Sequence, residues 1–474
     1  MNIYRYFLKN ISVIGLGSIL AKGVVFILIP LQTLAMSTSE FGTAEMIYNI
    51  VNLSVPICTF GLSEAVMRFS MDNEHNKKKI LNIALSIPFV GAIILLFALL
   101  VGSIFFKEIV PYIFYILATF LAFAYKDIFM QYIKGIGEIR LFAISGIVFS
   151  ILLFIFNYGF VYKLKYGVNG YLLSQVLSNS IVLAMIFFIL RVRLRDVFSF
   201  PDIILLRNMA NYGLPLVINQ IAWWLTNSLN RYLLAFYLGI GLSGIYSAAV
   251  KITLIFNTII LIFQQAWQIS AIREFDENNI AFFSNVYNFS NAFIMLFTGF
   301  IILFSNIISS ILFQGGFGIA SKYVPALLIT SGTFSALPVF WSVIYSVTKN
   351  SKGVLKSTIL GAFVCVALDF WLIPKFGIFG AAIASGSCFF VVLVIRIIEI
   401  NKILRIKIHF MKNIFALIIL GMQSLLLHYF EYCYVPLVIL QIALMAVYKK
   451  EIYFLLKLLW KNKRVEKQWE GVEK

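Results

Sequence analysis

KKKILNIALSIPFVGAIILLFALLVGSIFFK, running from Lys77 to Lys107, is the stretch whose reading decides the fold. Three lysines open it and one closes it, and no residue from Ile80 to Phe106 is charged. Its apolar run, 81–104, has the length of about 20 residues that an α-helix needs to cross the hydrocarbon core of a bilayer. A helix pairs every backbone N–H and C=O within itself, so it can sit where no water is available. Runs of the same kind recur along the whole chain, at 11–34, 43–65, 81–104, 110–131, 141–161, 169–190, 209–236, 243–269, 283–312, 323–346, 357–373, 378–397, 412–430 and 434–448. The chain is 61% hydrophobic and 12% charged, against about 25% charged in a soluble domain. The first run carries Lys22 and lacks a small-residue cleavage site, so it reads as a span and not as a signal peptide. The expected fold class is an all-α polytopic membrane protein of about 14 helices.

The formal net charge of +18 would point to nucleic acid in a soluble protein. Here the cations sit in short connections and tails, and the positive-inside rule accounts for them without a nucleic-acid partner. Arg5 and Lys9, Arg68 with Lys77 to Lys79, Lys134 and Arg140, Arg191 to Arg195 with Arg207, Arg273, Lys349 to Lys356, Lys402 to Lys412 and the basic C-terminal tail fall on one side. Only Lys107, Lys163, Lys165, Lys322 and Lys375 fall on the other. The bias predicts that both termini are cytoplasmic. Cys58, Cys365, Cys388 and Cys433 have neither metal nor disulfide spacing, and His75, His409 and His428 form no ligand motif. With no nucleophile elbow, phosphate-binding loop or zinc pattern, a transporter fits better than an enzyme, and no cofactor is implied.

The chain repeats itself. Tyr166-Gly-Val-Asn-Gly170 opens the sixth span and Phe376-Gly-Ile-Phe-Gly380 opens the twelfth. Gly42 and Gly244 open the second and eighth spans, and Gly146 and Gly361 lie in the fifth and eleventh. Matches six spans apart imply a parallel repeat about an axis along the membrane normal. The expected organisation is an N-terminal lobe over 1–200, a C-terminal lobe over 201–400, an extra helix pair over 401–450 and a basic tail over 451–474.

Polar residues recur at helical spacing inside four spans. A charge at mid-bilayer costs about 2.5–3.5 kcal/mol on insertion scales, so such residues face a cavity or a partner. Gly15, Ser18 and Lys22 share a face of the first span, and Glu45, Asn49, Asn52 and Pro56 share one of the second. Gln220, Trp224, Asn227 and Arg231 do so in the seventh, and Lys251, Thr258 and Gln265 in the eighth. A cleft lined by Lys22, Arg231 and Lys251 favours an anionic, hydrogen-bonding cargo such as a diphosphate or acidic glycan. Asn49, Asn52, Gln220, Asn227 and Gln265, with Trp224, suit sugar hydroxyls and sugar faces. The same residues admit plainer roles: Lys22 or Arg231 paired with Glu45, Lys251 snorkelling to the interface, and the amides as interhelical glue. Pro30, Pro56, Pro215 and Pro338 should bend their spans.

Asp369-Phe-Trp-Leu-Ile-Pro-Lys-Phe-Gly-Ile-Phe-Gly-Ala-Ala-Ile-Ala-Ser385 resembles the span 11–12 signature of Wzx-type polysaccharide flippases, of the multidrug/oligosaccharidyl-lipid/polysaccharide superfamily. Asn10-Ile-Ser, Glu40-Phe-Gly42 and Gly61-Leu-Ser-Glu-Ala-Val-Met-Arg68 resemble that family's first lobe. The resemblance implies two six-helix lobes that alternate access and move an undecaprenyl-diphosphate-linked oligosaccharide, an O-antigen or capsule repeat unit, to the periplasmic leaflet. It implies membrane lipids, a polysaccharide polymerase and a chain-length regulator as partners. Proton or sodium coupling would fall to Glu45 or Asp127. A cation-coupled multidrug exporter and a cell-wall precursor flippase share this pattern, although drug-exporting relatives have a carboxylate in the first span, where this chain has Lys22. A membrane polymerase or glycosyltransferase would need a sizeable soluble loop with catalytic carboxylates.

Overall fold

The computed structural model describes residues 23–24, 26–71, 77–105, 107–191, 202–273, 280–348, 350–430 and 434–453. Among them the protein is all α-helix with short 3-10 and π turns, and no strand is present. The helices are α1 (Phe26–Ala35), α2 (Thr38–Cys58), α3 (Leu62–Ser70), α4 (Lys77–Phe105), α5 (Ile113–Gly135), α6 (Ile139–Phe156), α7 (Gly167–Leu190), α8 (Ile203–Leu238), α9 (Ile240–Arg273), α10 (Ile280–Leu312), α11 (Val324–Leu327), α12 (Phe334–Val347), α13 (Ser351–Ile400), α14 (Phe410–Tyr429) and α15 (Tyr434–Val447). Eight helical segments among the described residues are long and apolar enough to cross a membrane, or ten if each of two bent pairs counts as one span. The protein is a polytopic membrane protein.

The expected 14 spans differ from that tally for identifiable reasons. α2 and α3 are one expected span broken by a 56° bend, and the two expected spans 357–373 and 378–397 meet within α13 at a kink where Gly377 is non-helical, so they count once among the apolar segments. α8 is 36 residues long, but its polar stripe keeps it out of the apolar set. α15 has only 14 residues.

Local signals set the breaks. Ser37 and Glu40 form a reciprocal capping box at the start of α2, with the Glu40 carboxylate accepting from the Ser37 N–H at 2.8 Å. Phe60 and Gly61 both take positive φ, 54° and 67°, and end α2 before α3 begins. The two repeat motifs share a backbone feature: Gly167 and Gly377 have φ of 52° and 56°, a region that favours glycine. Asp202 caps α8 by accepting from the Leu205 N–H at 3.2 Å. Lys79 donates to the same carboxylate at 3.0 Å, and that bond, with the backbone contact, holds the Asp202 carboxyl below its ordinary range.

The chain packs as two compact units. The first comprises 1–251, 311–318 and 366–378, and the second 252–310, 319–365 and 379–474. In the first, α2 packs on α5, α7 and α8, and α3 packs on α5 and α8. An apolar core including Leu62, Val66, Ile80, Phe129, Ile186 and Met209 ties α3, α4, α5, α7 and α8 together.

Glycine contacts bring backbones together at two levels of this unit. A Cβ on Gly42 would lie 2.5 Å from the Ile240 carbonyl oxygen, and one on Gly244 would overlap the Thr38 carbonyl oxygen. A Cβ on Gly61 would lie 2.5 Å from the Gly213 carbonyl oxygen, and one on Gly213 equally close to that of Phe60. The repeat matches the first pair, and these two glycines meet. Gly146 and Gly361 differ in their surroundings: nothing lies within 4 Å of a Cβ on Gly146, whereas one on Gly361 would meet Val392 and Cys388.

In the second unit α14 and α15 are pinned by amides. Gln423 donates to Gln441 at 3.3 Å, and Gln441 donates to the Leu296 carbonyl of α10 at 3.2 Å. Arg396, only 5% exposed, donates from Nε to Ser357 at 3.1 Å and from a terminal nitrogen to the Pro338 carbonyl at 3.1 Å, and that terminal nitrogen also bonds Ser342. It thereby ties α12 to both halves of α13. Cys58, Cys365 and Cys388 are buried and form no disulfide among the described residues, and Cys433 lies outside those residues.

Gly244→Ala forces a methyl group into backbone that cannot yield like a flexible side chain. Overpacking of this kind costs about 1–3 kcal/mol. The variant is expected to unfold several degrees below the parent in a detergent thermal melt, whereas Gly102→Ala, with nothing within 4 Å of its Cβ, is expected to match it.

Candidate functional site

The glycine contact decides which side chains meet beneath it. Glu45 lies three residues beyond Gly42 on α2, and Ser247 and Lys251 lie three and seven beyond Gly244 on α9. Those spacings keep each set on one helix face. With the backbones held close at the glycines, Lys251 reaches Glu45 at 2.7 Å, with side-chain exposures of 13% and 9%. The Tyr171 hydroxyl from α7 donates to the same carboxylate at 3.0 Å. The Lys251 ammonium also lies 4.6 Å from the centre of the Phe41 ring.

Arg231 of α8 sits beside this pair and hydrogen-bonds to neutral acceptors. Its Nε donates to Ser247 at 3.1 Å, one terminal nitrogen donates to the Asn227 carbonyl at 2.6 Å, and its guanidinium lies 5.8 Å from the Tyr246 ring centre. Two cations against one carboxylate leave the ionised cluster with one positive charge in excess. Asn49 ties α2 to α8: its backbone carbonyl accepts from the Trp224 indole N–H at 2.9 Å and its side-chain oxygen accepts from Ser228 at 3.0 Å. Tyr232 donates to the Met46 carbonyl at 2.7 Å and packs on Trp224.

The α2 stripe continues into a second, different environment. Asn52 and Pro56 line a cavity of about 240 Å³ with Ser63, Glu64, Phe123, Asp127, Gln131 and Gln220. Its charged groups are carboxylates and its neutral polar groups are amides and a hydroxyl, a donor set that suits a cation or proton better than an anion. Lys126, the neighbour of Asp127, lies 3.9 Å from the centre of the Phe149 ring.

The structure thus divides the sequence candidates into groups. Glu45, Asn49, Trp224, Arg231 and Lys251 meet in the ionic cluster. Asn52, Gln220 and Asp127 meet in the acidic cavity. Asn227 is exposed and bonds the Trp223 carbonyl at 2.8 Å, joining the cluster only through its backbone carbonyl. Lys22 and the side chain of Gln265 lie outside the described residues. Tyr171, Ser228, Ser247 and Arg396 escaped the sequence reading. Arg396 had a readable signal, a charge within the apolar run from Val391 to Ile398, whereas lone Tyr and Ser residues in apolar runs carry none. No group of three or more metal-ligating His, Cys, Asp or Glu residues occurs among the described residues.

Fold and site together define a multi-pass helical membrane protein with charged side chains buried among its spans. A family model described as polysaccharide biosynthesis protein matches residues 7–269, and the chain belongs to that family. The resemblance seen in the sequence motifs is borne out at this level. Among solved structures, one described as the lipid II flippase MurJ in an inward closed conformation has a TM-score of 0.71 at 14% identity, covering 93% of this chain and 98% of that one. An inward-facing multidrug resistance MATE family transporter of the MOP superfamily has a TM-score of 0.65 at 16% identity, covering 82% and 95%. A MOP superfamily transporter from Pyrococcus furiosus, described as having a binding pocket of reverse polarity, has a TM-score of 0.58 at 16% identity, covering 83% and 96%. At these identities the likeness is one of fold. No curated protein matches the chain by sequence.

Removing one member of a buried ion pair strands the other charge and costs about 3–5 kcal/mol, whereas replacing both with neutral groups can be nearly free. Lys251→Met alone is expected to show that loss in equilibrium unfolding, and Glu45→Gln with Lys251→Met to recover most of it. Equal losses from the single and double variants would mean that the pair does not form.

Proposed function

We propose that this protein is a flippase that moves an undecaprenyl-diphosphate-linked oligosaccharide, an O-antigen or capsule repeat unit, from the cytoplasmic to the periplasmic leaflet. Membership of the polysaccharide biosynthesis family supports the cargo class, and the transporter fold supports movement by alternating access of two lobes, 1–200 and 201–400. The observation that carries the reading is Arg231: a guanidinium 9% exposed, bonded to neutral oxygens, on the helix that also presents Trp224 and Gln220. Such a charge is expensive within a membrane unless an anion or water meets it in part of the cycle. Arg231 and Lys251 would attract the diphosphate, with Lys22 a third cation from the first span. Asn49, Asn52, Gln220, Trp224, Asn227 and Gln265 would hold sugars, and the polyprenyl tail would stay in lipid. In this scheme the protein sits in the inner membrane with cytoplasmic termini and works with a polymerase and a chain-length regulator.

The division of charge refines the coupling step. Glu45 is engaged by Lys251, so the carboxylates left to take a proton or sodium ion are Asp127 and Glu64 in the cavity. The same acidic cavity favours a second reading, a cation-coupled drug exporter of this fold.

In a strain lacking the gene, Arg231→Ala at parental abundance is expected to reduce surface polysaccharide about ten-fold or more, the scale of one buried charged contact. Lipid-linked sugar should accumulate on the cytoplasmic leaflet. Polysaccharide at parental levels would overturn the cargo assignment, and drug sensitivity with intact surface glycan would favour the exporter. Asp127→Asn is expected to leave cargo binding in place and to abolish the dependence of transport on the ion gradient, measured in proteoliposomes.

A further inference from the structure

The segment between α13 and α14, residues 401–409, is non-helical, and its backbone is held in place from several sides. The Asn401 side chain accepts from the Ile406 N–H at 3.2 Å. From α10, Ser284 accepts from the Lys407 N–H at 3.0 Å, and Asn288 both donates to the Lys407 carbonyl at 2.9 Å and accepts from the His409 N–H at 3.4 Å. Leu404 and Ile406 are buried pegs at 0% and 5% exposure, so the alternate side chains of Arg405, Lys407 and His409 stand outward with Lys402.

The segment contains no carboxylate. Nearby carboxylates are already engaged: Glu399 accepts from Tyr345 at 2.5 Å and lies 3.5 Å from Lys356, and Glu451 pairs with Lys412 at 2.6 Å. No ion pair joins Lys402, Arg405 or Lys407 to a carboxylate of the described residues. Ile403, Phe410 and Met411 flank the cations and are 41%, 61% and 71% exposed. Orientation by the positive-inside rule requires only cations in a short loop. It requires neither a fixed backbone nor an alternating row of cations bordered by large apolar side chains.

We propose that residues 402–411 form a docking surface for the headgroups of anionic phospholipids. Lys402, Arg405 and Lys407 meet the phosphates, and Ile403, Phe410 and Met411 enter the acyl boundary beside them. Charge complementarity selects an anionic over a zwitterionic headgroup, and the exposed apolar residues select a lipid over a soluble phosphate. The pinned backbone keeps the three cations in register without an ordering cost on each encounter. The surface lies wholly in the second compact unit and does not depend on which cargo the protein carries.

The test uses the full-length protein in nanodiscs of phosphatidylcholine, titrated with phosphatidylglycerol and followed by native mass spectrometry of bound lipid. The parent is expected to retain phosphatidylglycerol over phosphatidylcholine. The triple variant Lys402→Gln, Arg405→Gln, Lys407→Gln is expected to bind it about ten-fold or more weakly, from a contribution of each cation near an anionic surface. The charge-conserving Lys402→Arg, Lys407→Arg variant should bind as the parent does, as should Lys163→Gln, Lys165→Gln with its cations elsewhere. Undiminished binding by the folded triple variant would overturn the proposal. So would equal retention of the two lipids by the parent, or inorganic phosphate displacing the lipid at millimolar concentration.

Discussion

The site depends on one close approach of backbones. Where Gly42 meets Gly244, α2 and α9 come nearer than any residue with a side chain allows, and Lys251 and Glu45 then reach each other below the contact. The order of dependence runs from glycine to backbone distance to ion pair. Arg231 is drawn into the same group through Ser247, which shares the face of α9 with both Gly244 and Lys251. A methyl group at either glycine would act on the whole ionic cluster, although neither glycine touches a charge. Gly61 and Gly213 repeat the arrangement between the α2–α3 break and α8, beside the acidic cavity that Gly61 itself helps to line.

The charges of this region divide rather than blend. The cluster around Arg231 holds an excess cation, and the cavity holds Glu64 and Asp127. One stripe on α2 joins them, from Glu45 through Asn49 to Asn52 and Pro56, so a single helix carries contacts to both environments. An anion and a cation could therefore be handled at different depths of one unit. Under the proposed function, this separation gives cargo and coupling to different residues.

Much of this was legible in the sequence because membrane helices spend charge sparingly. Glu45, Arg231 and Lys251 stand out in apolar runs, and their helical spacing told which residues share a face. The Gly42–Gly244 match came from the repeat, and the meeting of the two glycines gives that match a packing reason. The positive φ shared by Gly167 and Gly377 likewise gives the two Gly-x-x-Gly openings a common backbone cause. Partner choice was not legible. Spacing along α9 places Lys251 on a face but does not say whether Glu45, lipid or cargo lies opposite. Nor does it reveal that Asn52, three residues after Asn49, leaves the ionic cluster for a cavity of opposite charge. Tyr171 was invisible for a different reason: a tyrosine in an apolar run is ordinary until its hydroxyl is found against a carboxylate.

The proposed function requires that the buried cation at position 231 meet water and an anionic cargo. A variant with Arg231→Cys, and with Cys58, Cys365, Cys388 and Cys433 replaced by serine, permits direct measurement in native membranes with a charged, membrane-impermeant thiol reagent. The introduced thiol is expected to be modified, and an undecaprenyl-diphosphate-linked glycan is expected to slow the reaction. A thiol that stays unmodified from both faces of the membrane, while a control cysteine in an exposed loop reacts, would contradict it.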